Sequence, residues 1–431
     1  MTPTQTIIAI EIGSSKVTGL AGVKHRDGKI AVVAHVQQSA TTFIRKGIIY
    51  NADLAAACMR NIILRLKEQL QQDITQVYVA YSGQGIHSVV NEVSRHYDTE
   101  HKITKEDIDG LYDENITSAP EGRCILEVVP LEYSADTQKT TQPVGIFTTT
   151  ITGRYLNIVA KPKIMDFLED CFKSIGIHVV EYKLTPLLVG DQLLSESQRN
   201  SGCVLVDIGA DTTTVSVYKS KLLRFLAVIP LGSDNITKDL MTLQMEHSEA
   251  EDLKTGKFGE PYATFTEEEG MAIVHTTADG TPIQRRTLSD VIDARLTEIL
   301  LNVKHQINES RYTRESLVAG AFLTGGGANM TNIANVFKDI VGIDKVIVRK
   351  NSLSADYILT GPIRTAESRY LAALALLAIA NQPCTVPLPQ GPQEIFEQPT
   401  DVPDTPPADL AKKPNRWTRW WILISDIVKE D

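Results

Sequence analysis

The sequence predicts an α/β protein made of two related lobes that face each other across a phosphate. The prediction depends on three stretches. In Cys203–Val217, two β-branched apolar runs flank a polar turn, which is the signal of a buried hairpin. The stretch Ile8–Thr18 repeats this pattern about half a chain earlier, with Glu11 aligned on Asp207. In the third stretch, Ala321–Gly327, a strand runs into three consecutive glycines.

The two hairpin turns have the composition of a phosphate and metal site. Their glycines let backbone N–H groups approach a ligand closely, and their hydroxyl side chains add donors. The candidate phosphate-binding residues are Gly13, Ser14, Ser15, Lys16, Gly209, Ala210, Asp211, Thr212 and Thr213. Glu11 and Asp207 precede the turns and are the metal candidates, because carboxylates can hold a hydrated Mg²⁺. A single hairpin of this kind is an ordinary polar turn facing water as often as it is a ligand-binding turn. Its repetition in the chain favours two lobes around a ligand.

These motifs, in this order, resemble the actin/Hsp70/sugar-kinase ATPase superfamily, and within it the FtsA family of bacterial division proteins. Glu11–Thr18 looks like the first phosphate loop, Asp207–Thr213 like the second, and Leu323–Gly327 like the adenosine motif. The resemblance runs from about Thr6 to Ala380 and resumes at the C-terminus. It implies an actin-like two-lobed ATPase fold with an FtsA-type inserted subdomain, a disordered linker and a C-terminal amphipathic helix, with ATP and Mg²⁺ in the cleft.

The resemblance also divides the chain into segments. These are a first lobe in two parts, 1–83 and 160–200, around an inserted subdomain, 84–159; a second lobe in two parts, 201–252 and 319–381, around a small nucleotide-side subdomain, 253–318; a linker, 382–411; and a membrane-targeting helix, 412–431.

Periodicity and composition predict the individual elements of the first lobe and the insert. Apolar residues along one face predict a core helix at Asp53–Gln71, and a strand follows at Val77–Ser82. Short strands at Cys124–Val129 and Gly145–Thr152 predict a compact α+β insert, which in the FtsA family contacts neighbouring molecules and division partners. Further helices are predicted at Met165–Ile175 and Pro186–Leu194.

The catalytic residue is not identified from the sequence. Hydrolysing members of the superfamily carry Glu or Gln near Thr185 to orient the attacking water, and a threonine cannot act as a general base at neutral pH. We therefore expect at most a slow ATPase whose main role is structural. The rival class, a small-molecule kinase of the same superfamily, requires a substrate-side carboxylate for which no convincing motif is present.

The second lobe supplies candidates for binding the adenosine. Pro230–Thr237 predicts a capped helix start, which is a potential anion site. Glu251 and Lys254 are one helical turn apart, as in an ordinary surface ion pair worth a few tenths of a kcal/mol. The resemblance instead assigns this pair to the ribose and base. The adenosine candidates are Glu251, Lys254, Gly325, Gly326, Gly327 and Asn329.

The small subdomain and the end of the second lobe complete the globular part. A long helix is predicted at Ser289–Ser310, with local basic character from Arg285, Arg286, Arg295 and Lys304. Such charges are usually a solvated face, but the resemblance implies that this subdomain receives the C-terminal tail peptide of the tubulin-like protein FtsZ. Helices are also predicted at about Met330–Val341 and at Ser368–Ala380, the latter resembling an interdomain connector. The linker 382–411 has many prolines and acids and no basic residue, which predicts an extended, disordered segment.

The last stretch predicts an interfacial membrane anchor. Wound as a helix, the stretch places six apolar residues within an arc of about 120°, namely Trp417, Trp420, Trp421, Ile424, Ile427 and Val428, whereas Ile422 falls outside it. The candidate anchor residues are Arg416, Trp417, Arg419, Trp420, Trp421, Ile424, Ile427 and Val428. A basic, Trp-bearing amphipathic helix on a flexible tether is typical of proteins that attach to anionic membrane surfaces. The alternative is a helix that docks on the domain or on a partner. An FtsA-like adaptor of the type IV pilus machinery, the second rival, lacks this anchor.

Composition limits the setting of the protein. A net charge of −10 and an apolar content of 42% describe an acidic globular protein that is a poor candidate for binding nucleic acid. Five scattered cysteines without CxxC spacing predict reduced thiols in a cytosol. No signal peptide and no membrane-spanning apolar run are recognised. With the resemblance, this predicts a protein on the cytoplasmic side of a bacterial membrane at the division site, which tethers FtsZ, assembles with itself into filaments and helps recruit later division proteins.

Overall fold

The computed structural model describes residues 6–256, 258–278, 280–349, 357–359, 363 and 369–387, which lie within the compact unit Met1–Leu388. The strands are β1 Thr6–Ile12, β2 Lys16–Lys24, β3 Ile30–Ser39, β4 Ile44–Arg45, β5 Ile48–Ile49, β6 Gln72–Ile74, β7 Gln76–Tyr81, β8 His87–Lys102, β9 Cys124–Ala135, β10 Gln138–Thr140, β11 Phe147–Ala160, β12 His178–Leu184, β13 Cys203–Ile208, β14 Thr213–Lys219, β15 Leu222–Ile229, β16 Ile273–Thr276, β17 Pro282–Gln284, β18 Gly320–Thr324, β19 Val346–Val348, β20 Tyr357–Ile358 and β21 Thr385–Pro387. The helices are α1 Ala52–Leu70, α2 Lys105–Thr117, α3 Lys163–Ser174, α4 Thr185–Leu193, α5 Glu196–Ser201, α6 Ser233–Met241, α7 His247–Thr255, α8 Glu267–Met271, α9 Arg285–Glu309, α10 Ile333–Val341 and α11 Leu371–Ile379. Short 3₁₀-helices lie at Arg314–Ser316 and Gly326–Asn329.

Two sheets share one internal strand order. The first runs β12-β7-β1-β2-β3-β20, and the second runs β10-β9-β11-β8-β15-β14-β13-β18-β19. In each lobe an antiparallel hairpin is continued on one side by a third antiparallel strand and on the other by two parallel strands. The order β3-β2-β1-β7-β12 is thus repeated as β15-β14-β13-β18-β19. The prediction of two related α/β lobes is confirmed.

Helices pack on both faces of the first-lobe sheet. A Cβ atom added to Gly19 would come within 2.5 Å of Ile62 in α1, and one added to Gly22 within 2.8 Å of Leu377 in α11. Residues three apart on a strand point to opposite faces. The two helices therefore cover opposite sides of β2, and glycine at both positions lets them approach the sheet closely.

The long helix α9 forms the centre of the second-lobe core. It packs against α6, α10 and β14. Its apolar side chains recur at helical spacing and are buried: Leu288, Ile292, Leu296, Ile299, Val303 and Ile307. Full burial of such a side chain contributes about 1.5–3 kcal/mol. The helix begins four residues before the predicted Ser289, because the strand β17 leads directly into it.

The insert is the compact α+β subdomain that the sequence predicts. Its strands β8, β9 and β11 are longer than expected and form one antiparallel sheet, which joins the second-lobe sheet where His87 of β8 pairs with Ala227 of β15. Helix α2 is held on this sheet by a buried amide network. Asn115 donates to Asn157 Oδ1 at 2.8 Å and accepts from Asn157 at 2.9 Å and from Asn91 at 3.0 Å.

Residues from the C-terminal part of the described chain complete the first lobe. Helix α11 packs on β1, β2 and β7, and Lys24 donates to the carbonyls of Ala378 and Ala380 at its C-terminal end. The predicted linker start at residue 382 is wrong. Cys384 N–H donates to Thr6 O at 2.8 Å, and β21 pairs with β6. Pro387 is compatible with this strand because the sheet has only two strands, so the proline sits at an edge.

Two further predictions concern the C-terminal segments and the state of the cysteines. The remainder of the predicted linker and the predicted anchor helix 412–431 lie outside the described residues. Within the described part of the chain, no helix combines the length and apolar character needed to cross a membrane. All five cysteines are free thiols, as predicted.

Candidate functional site

The first hairpin turn connects β1 and β2. Glu11 pairs with Thr18 across the hairpin, and the turn is closed by a hydrogen bond from Gly13 N–H to Lys16 O at 3.0 Å. A Cβ atom on Gly13 would lie 3.0 Å from that same carbonyl oxygen. A side chain at this position would push on the carbonyl oxygen that closes the turn, so glycine fits best here.

The second hairpin turn, between β13 and β14, has the same construction. Asp207 pairs with Thr214, and Gly209 N–H donates to Thr212 O at 2.8 Å. A Cβ atom on Gly209 would lie 2.9 Å from Thr212 O. The alignment that the sequence predicts between the two hairpins is thus reproduced residue by residue in their registers.

The carboxyl group of Glu11 lies in an environment that disfavours its charge. Burial, chiefly, raises the pKa of Glu11 to about 7; the charge of Lys16 works against this rise and that of Asp207 adds to it. The backbone N–H of Ala373, in the first turn of α11, donates to this carboxylate. Its Oε2 atom is buried and has no hydrogen-bond partner among the described residues.

Asp207, the second predicted metal residue, is similarly placed. Burial raises its pKa to about 6. Glu11 and Asp207 are close enough for the charge of one to raise the pKa of the other. A cation bound beside them would favour their ionised forms.

Lys16 supplies positive charge at the first turn. Its Nζ atom lies 5.6 Å from the centre of the Tyr370 ring. Burial lowers the pKa of Lys16, while the neighbouring Glu11 raises it and Arg369 lowers it further. A partly desolvated ammonium group at a glycine turn is suited to binding phosphate.

The triple-glycine turn packs against the second hairpin and leaves one residue facing open space. Gly325 has φ of 86°, and a Cβ atom there would lie 2.3 Å from Asp207 Oδ1. A Cβ atom on Gly327 would lie 2.4 Å from Ile208 Cγ2. A Cβ atom on Gly326 would meet nothing within 4 Å. Only the middle glycine thus offers a bare surface to a ligand.

The buried polar atoms near the glycine turns fit a site for a phosphate and its metal. Besides Glu11 Oε2, the buried hydroxyl of Thr324 at the end of β18 has no hydrogen-bond partner among the described residues. No cluster of three or more metal-ligating side chains occurs in the described part of the chain. A metal at Glu11 and Asp207 would therefore take further ligands from phosphate and water, which is the usual coordination of Mg²⁺.

One predicted phosphate residue has a different role. Thr213 is fully buried, and its hydroxyl donates to Leu231 O at 2.9 Å. It fixes the second turn to the segment before α6 and does not present its hydroxyl to a ligand. The sequence pattern could not show this, because the acceptor belongs to another element.

The N-terminus of α6 is likewise closed as an anion site. Ser233 N–H donates to Gly209 O at 2.9 Å, and Asp234 N–H donates to Ala210 O at 2.8 Å. The helix start therefore holds the second turn in place. Its N–H groups are engaged by the protein's own carbonyl groups.

Lys254, which is predicted to contact adenosine, is buried and hydrogen-bonded within the second lobe. Its ammonium donates to Glu251 Oε2 at 2.6 Å, Thr237 Oγ1 at 2.7 Å and Ser233 O at 3.2 Å, which uses all three of its protons. The side chain is only 4% exposed, so the alternative of a solvated surface pair is wrong. Glu251 is 42% exposed and remains available to a ribose hydroxyl.

Asp211, also predicted to bind phosphate, is engaged in two contacts. Its Oδ1 atom accepts from Lys238 Nζ at 3.0 Å, and its Oδ2 atom accepts from Lys46 N–H at 3.2 Å. The neighbouring Gly47 N–H donates to Ser14 Oγ at 2.8 Å. The turn Lys46–Gly47 is not among the site elements predicted from the sequence. A Gly-containing two-residue turn between isoleucine-containing strands was the signal that could have identified it.

The remaining predicted residues lie in the two hairpin turns and in the 3₁₀-helix that follows β18. Ser15 and Asn329 are exposed, and Ala210 and Thr212 are half-buried. The membrane-anchor candidates are all outside the described residues.

Comparison with known proteins identifies relatives over most of the chain. A family model described as "Cell division protein FtsA" matches residues 204–375, and one described as "SHS2 domain inserted in FTSA" matches residues 83–159. The chain is 28% identical over 404 residues to the cell division protein FtsA of Porphyromonas gingivalis, covering 89% of this chain and 80% of the relative. It is 29% identical over 383 residues to FtsA of Neisseria meningitidis, covering 87% and 90%.

Solved structures share the fold. A chain of the PilM–PilN type IV pilus biogenesis complex matches with a TM-score of 0.59 and 13% identity, over 87% of this chain and 99% of that one. MreB 5 of Spiroplasma citri bound to AMPPNP matches with a TM-score of 0.50 and 13% identity, over 87% and 96%. At this identity the similarity extends to the fold alone.

Proposed function

Because the chain belongs to the FtsA family of cell division proteins, we propose that it binds ATP with Mg²⁺ between its lobes and tethers FtsZ filaments to a bacterial membrane. The observation that carries the nucleotide part is the pair of hairpin turns with matching registers, combined with the open middle glycine of the third turn. The nucleotide analogue bound by the MreB relative of the same fold supports it.

The roles of the residues follow from their chemistry. Backbone N–H groups of the two turns and the Lys16 ammonium would bind the phosphates. Gly326 and the half-exposed carboxylate of Glu251 would receive the adenosine. Glu11 and Asp207 would hold Mg²⁺ through water, and the metal would offset the phosphate charge.

Nucleotide would act mainly as a conformational ligand. A ligand that contacts both lobes binds their closed arrangement more tightly, and so shifts the population toward it. With Thr185 at the start of α4, where a general base would be expected, hydrolysis would be slower than the ordinary enzyme range of about 1–10³ s⁻¹. Closed lobes would favour filaments of this protein.

The partners follow from the family. The tail peptide of FtsZ would bind the small subdomain, where Met271 and Ile273 at α8 and β16 expose large apolar side chains. Two of the basic residues predicted there are engaged internally: Arg295 pairs with Asp239, and Lys304 donates to Ile340 O. The insert would contact later division proteins, and the C-terminal segment would attach the complex to the cytoplasmic face at the division site.

Co-sedimentation with FtsZ and anionic liposomes, with and without ATP, tests the proposal. We expect the full chain to carry FtsZ into the liposome pellet, more strongly with ATP. A chain lacking Lys413–Asp431 should still bind FtsZ but leave it in the supernatant. A full chain that pellets with liposomes but never brings FtsZ would contradict the tethering role, and equal pelleting of both chains would exclude the C-terminal anchor.

A further inference from the structure

We propose that Asp211 is an interlobe latch that an incoming nucleotide must open, and not a phosphate ligand. The term latch is used for the contacts of its carboxylate with Lys46 and Lys238. The inference rests on the proposed nucleotide site and concerns how access to that site is controlled.

The first-lobe side of the latch is a rigid turn. Lys46 and Gly47 have φ of 51° and 76°, so the two residues form the kind of tight turn that joins strands β4 and β5. Lys46 O accepts from Gln84 N–H at 2.8 Å. A Cβ atom on Gly47 would lie 2.3 Å from Ser82 O. The turn is therefore packed against the first lobe and moves with it.

This turn reaches both hairpin turns through adjacent N–H groups. Gly47 N–H bonds to Ser14 Oγ within the first lobe, and Lys46 N–H bonds to Asp211 Oδ2 in the second lobe. The second bond joins the two lobes at the site proposed for the phosphates. Any ligand that separates or reorients the turns must break it.

The carboxylate of Asp211 is held by charge as well. Lys238 on α6 lies 3.0 Å from Asp211 Oδ1 and 2.8 Å from Asp234 Oδ2. The Asp211 side chain is 14% exposed. A carboxylate that is largely shielded from water in this turn would repel phosphate oxygens brought into the same turn. It fits a residue that opposes phosphate better than one that binds it.

The hairpin fold itself does not require an acid at this position. The first turn carries Ser15 where the second carries Asp211, and both turns close with the same hydrogen bond. A small neutral residue is thus compatible with the geometry. The acid is an addition that serves the contact between the lobes.

The first test measures hydrogen exchange at the Lys46 amide in the nucleotide-free full chain. Asp211→Ser copies the first turn and should speed exchange at Lys46 about three- to tenfold, the loss expected for one hydrogen bond. Asp211→Asn keeps an acceptor oxygen and should have a smaller effect. Asp234→Asn removes the other carboxylate partner of Lys238 and should leave Lys46 unchanged. Unchanged exchange in Asp211→Ser would overturn the latch.

The second test measures ATP affinity in the presence of Mg²⁺. Asp211→Ser should bind about three- to tenfold more tightly than the unmodified chain, since no latch has to be opened. Weaker binding would show that Asp211 holds the metal nucleotide, and would overturn the proposal. If the unmodified chain does not bind ATP, the proposed function fails, while the exchange measurement still decides whether the contact between the lobes exists. Melting curves establish that each variant is folded.

Discussion

At the scale of single residues, the charge state of Glu11 links the stability of this protein to pH. The pKa of Glu11 rises from 4.5 to about 7, because the group is buried. Ionised Glu11 therefore destabilises the fold. The penalty is absent below pH 4.5, grows between pH 4.5 and about 7, and is complete above that range. The ligand-free protein carries this cost at neutral pH.

Replacing Glu11 by glutamine should remove the cost. Glu11→Gln keeps an oxygen for Ala373 N–H but cannot ionise, so we expect a melting temperature higher than that of the unmodified chain at pH 8, by roughly 2–4 °C. The difference should vanish at pH 4.5. Thermal melts of the ligand-free protein across this range provide the measurement. A difference that does not change with pH would mean that the pKa of Glu11 is not raised.

The two carboxylates should contribute unequally to the metal. Glu11 is already held by Ala373 N–H and faces Lys16, whereas burial alone accounts for the raised pKa of Asp207. We expect Asp207→Ala to reduce Mg²⁺-dependent ATP affinity more than Glu11→Ala does. Titrations with and without Mg²⁺ measure both losses. Equal losses would contradict this ranking.

Gly326 allows a test of the proposed adenosine surface that does not disturb the fold. Its φ is not positive, and an added Cβ atom would project into open space. Gly326→Val should therefore fold normally and bind ATP at least about tenfold more weakly, a loss of about 1.4 kcal/mol. Gly326→Ala should lose less.

The neighbouring Gly325 serves as a contrasting control, because a side chain there should disturb the fold. Gly325→Ala should lower the melting temperature, because its φ of 86° strains a side chain that would also meet Asp207. ATP binding by Gly326→Val with unchanged affinity would show that the nucleotide lies elsewhere.

At the scale of elements, the buried amide network decides how firmly α2 is held on the insert. Asn115→Leu leaves the buried Asn157 amide unpaired, which costs about 1–3 kcal/mol. We expect faster hydrogen exchange along α2, with melting of the rest of the chain little changed. The double variant Asn115→Leu/Asn157→Leu replaces both partners and should recover part of the loss. If the single variant exchanges no faster, the network does not hold the helix.

Local patterns predicted the elements of the site, but not the partners of its polar side chains. The acid–x–Gly repeat was sufficient to align Glu11 on Asp207, because register within a hairpin depends on neighbouring residues. The roles of Thr213 and Lys254 depend on Leu231 O and Ser233 O, which other segments deliver. β21 was missed for a similar reason: its proline-flanked sequence resembles a linker until β6 supplies a partner.

At the scale of the whole molecule, we expect weak attachment to membranes by each single chain. The predicted anchor carries Trp417, Trp420 and Trp421 together with basic residues. Each basic residue adds about 1 kcal/mol to binding at an anionic surface. Ordering the helix and restricting its motion oppose this gain. In a filament many such segments bind together at high effective concentration.

Liposome binding measured across protein concentration tests this expectation. Binding should rise steeply where the protein assembles, and high salt should weaken it without abolishing it, since apolar burial is not screened. Trp421→Glu should release the protein and leave ATP binding unchanged. Equally tight binding at every concentration, by the full chain and by an assembly-defective variant, would show that one anchor is sufficient.

The closure of the first lobe by residues 369–387 has a consequence for synthesis on the ribosome. Helix α11 covers β1, β2 and β7, Asn381 bonds to the buried Tyr78, and Cys384 bonds to Thr6. A nascent chain that has emerged only as far as the insert exposes the apolar face that α11 will cover. The N-terminal lobe cannot reach its final state until the second lobe has been translated and these residues have returned. The lobe that is made first is thus completed last, and a truncated chain that ends before α11 should stay incompletely folded and open to chaperones and proteases.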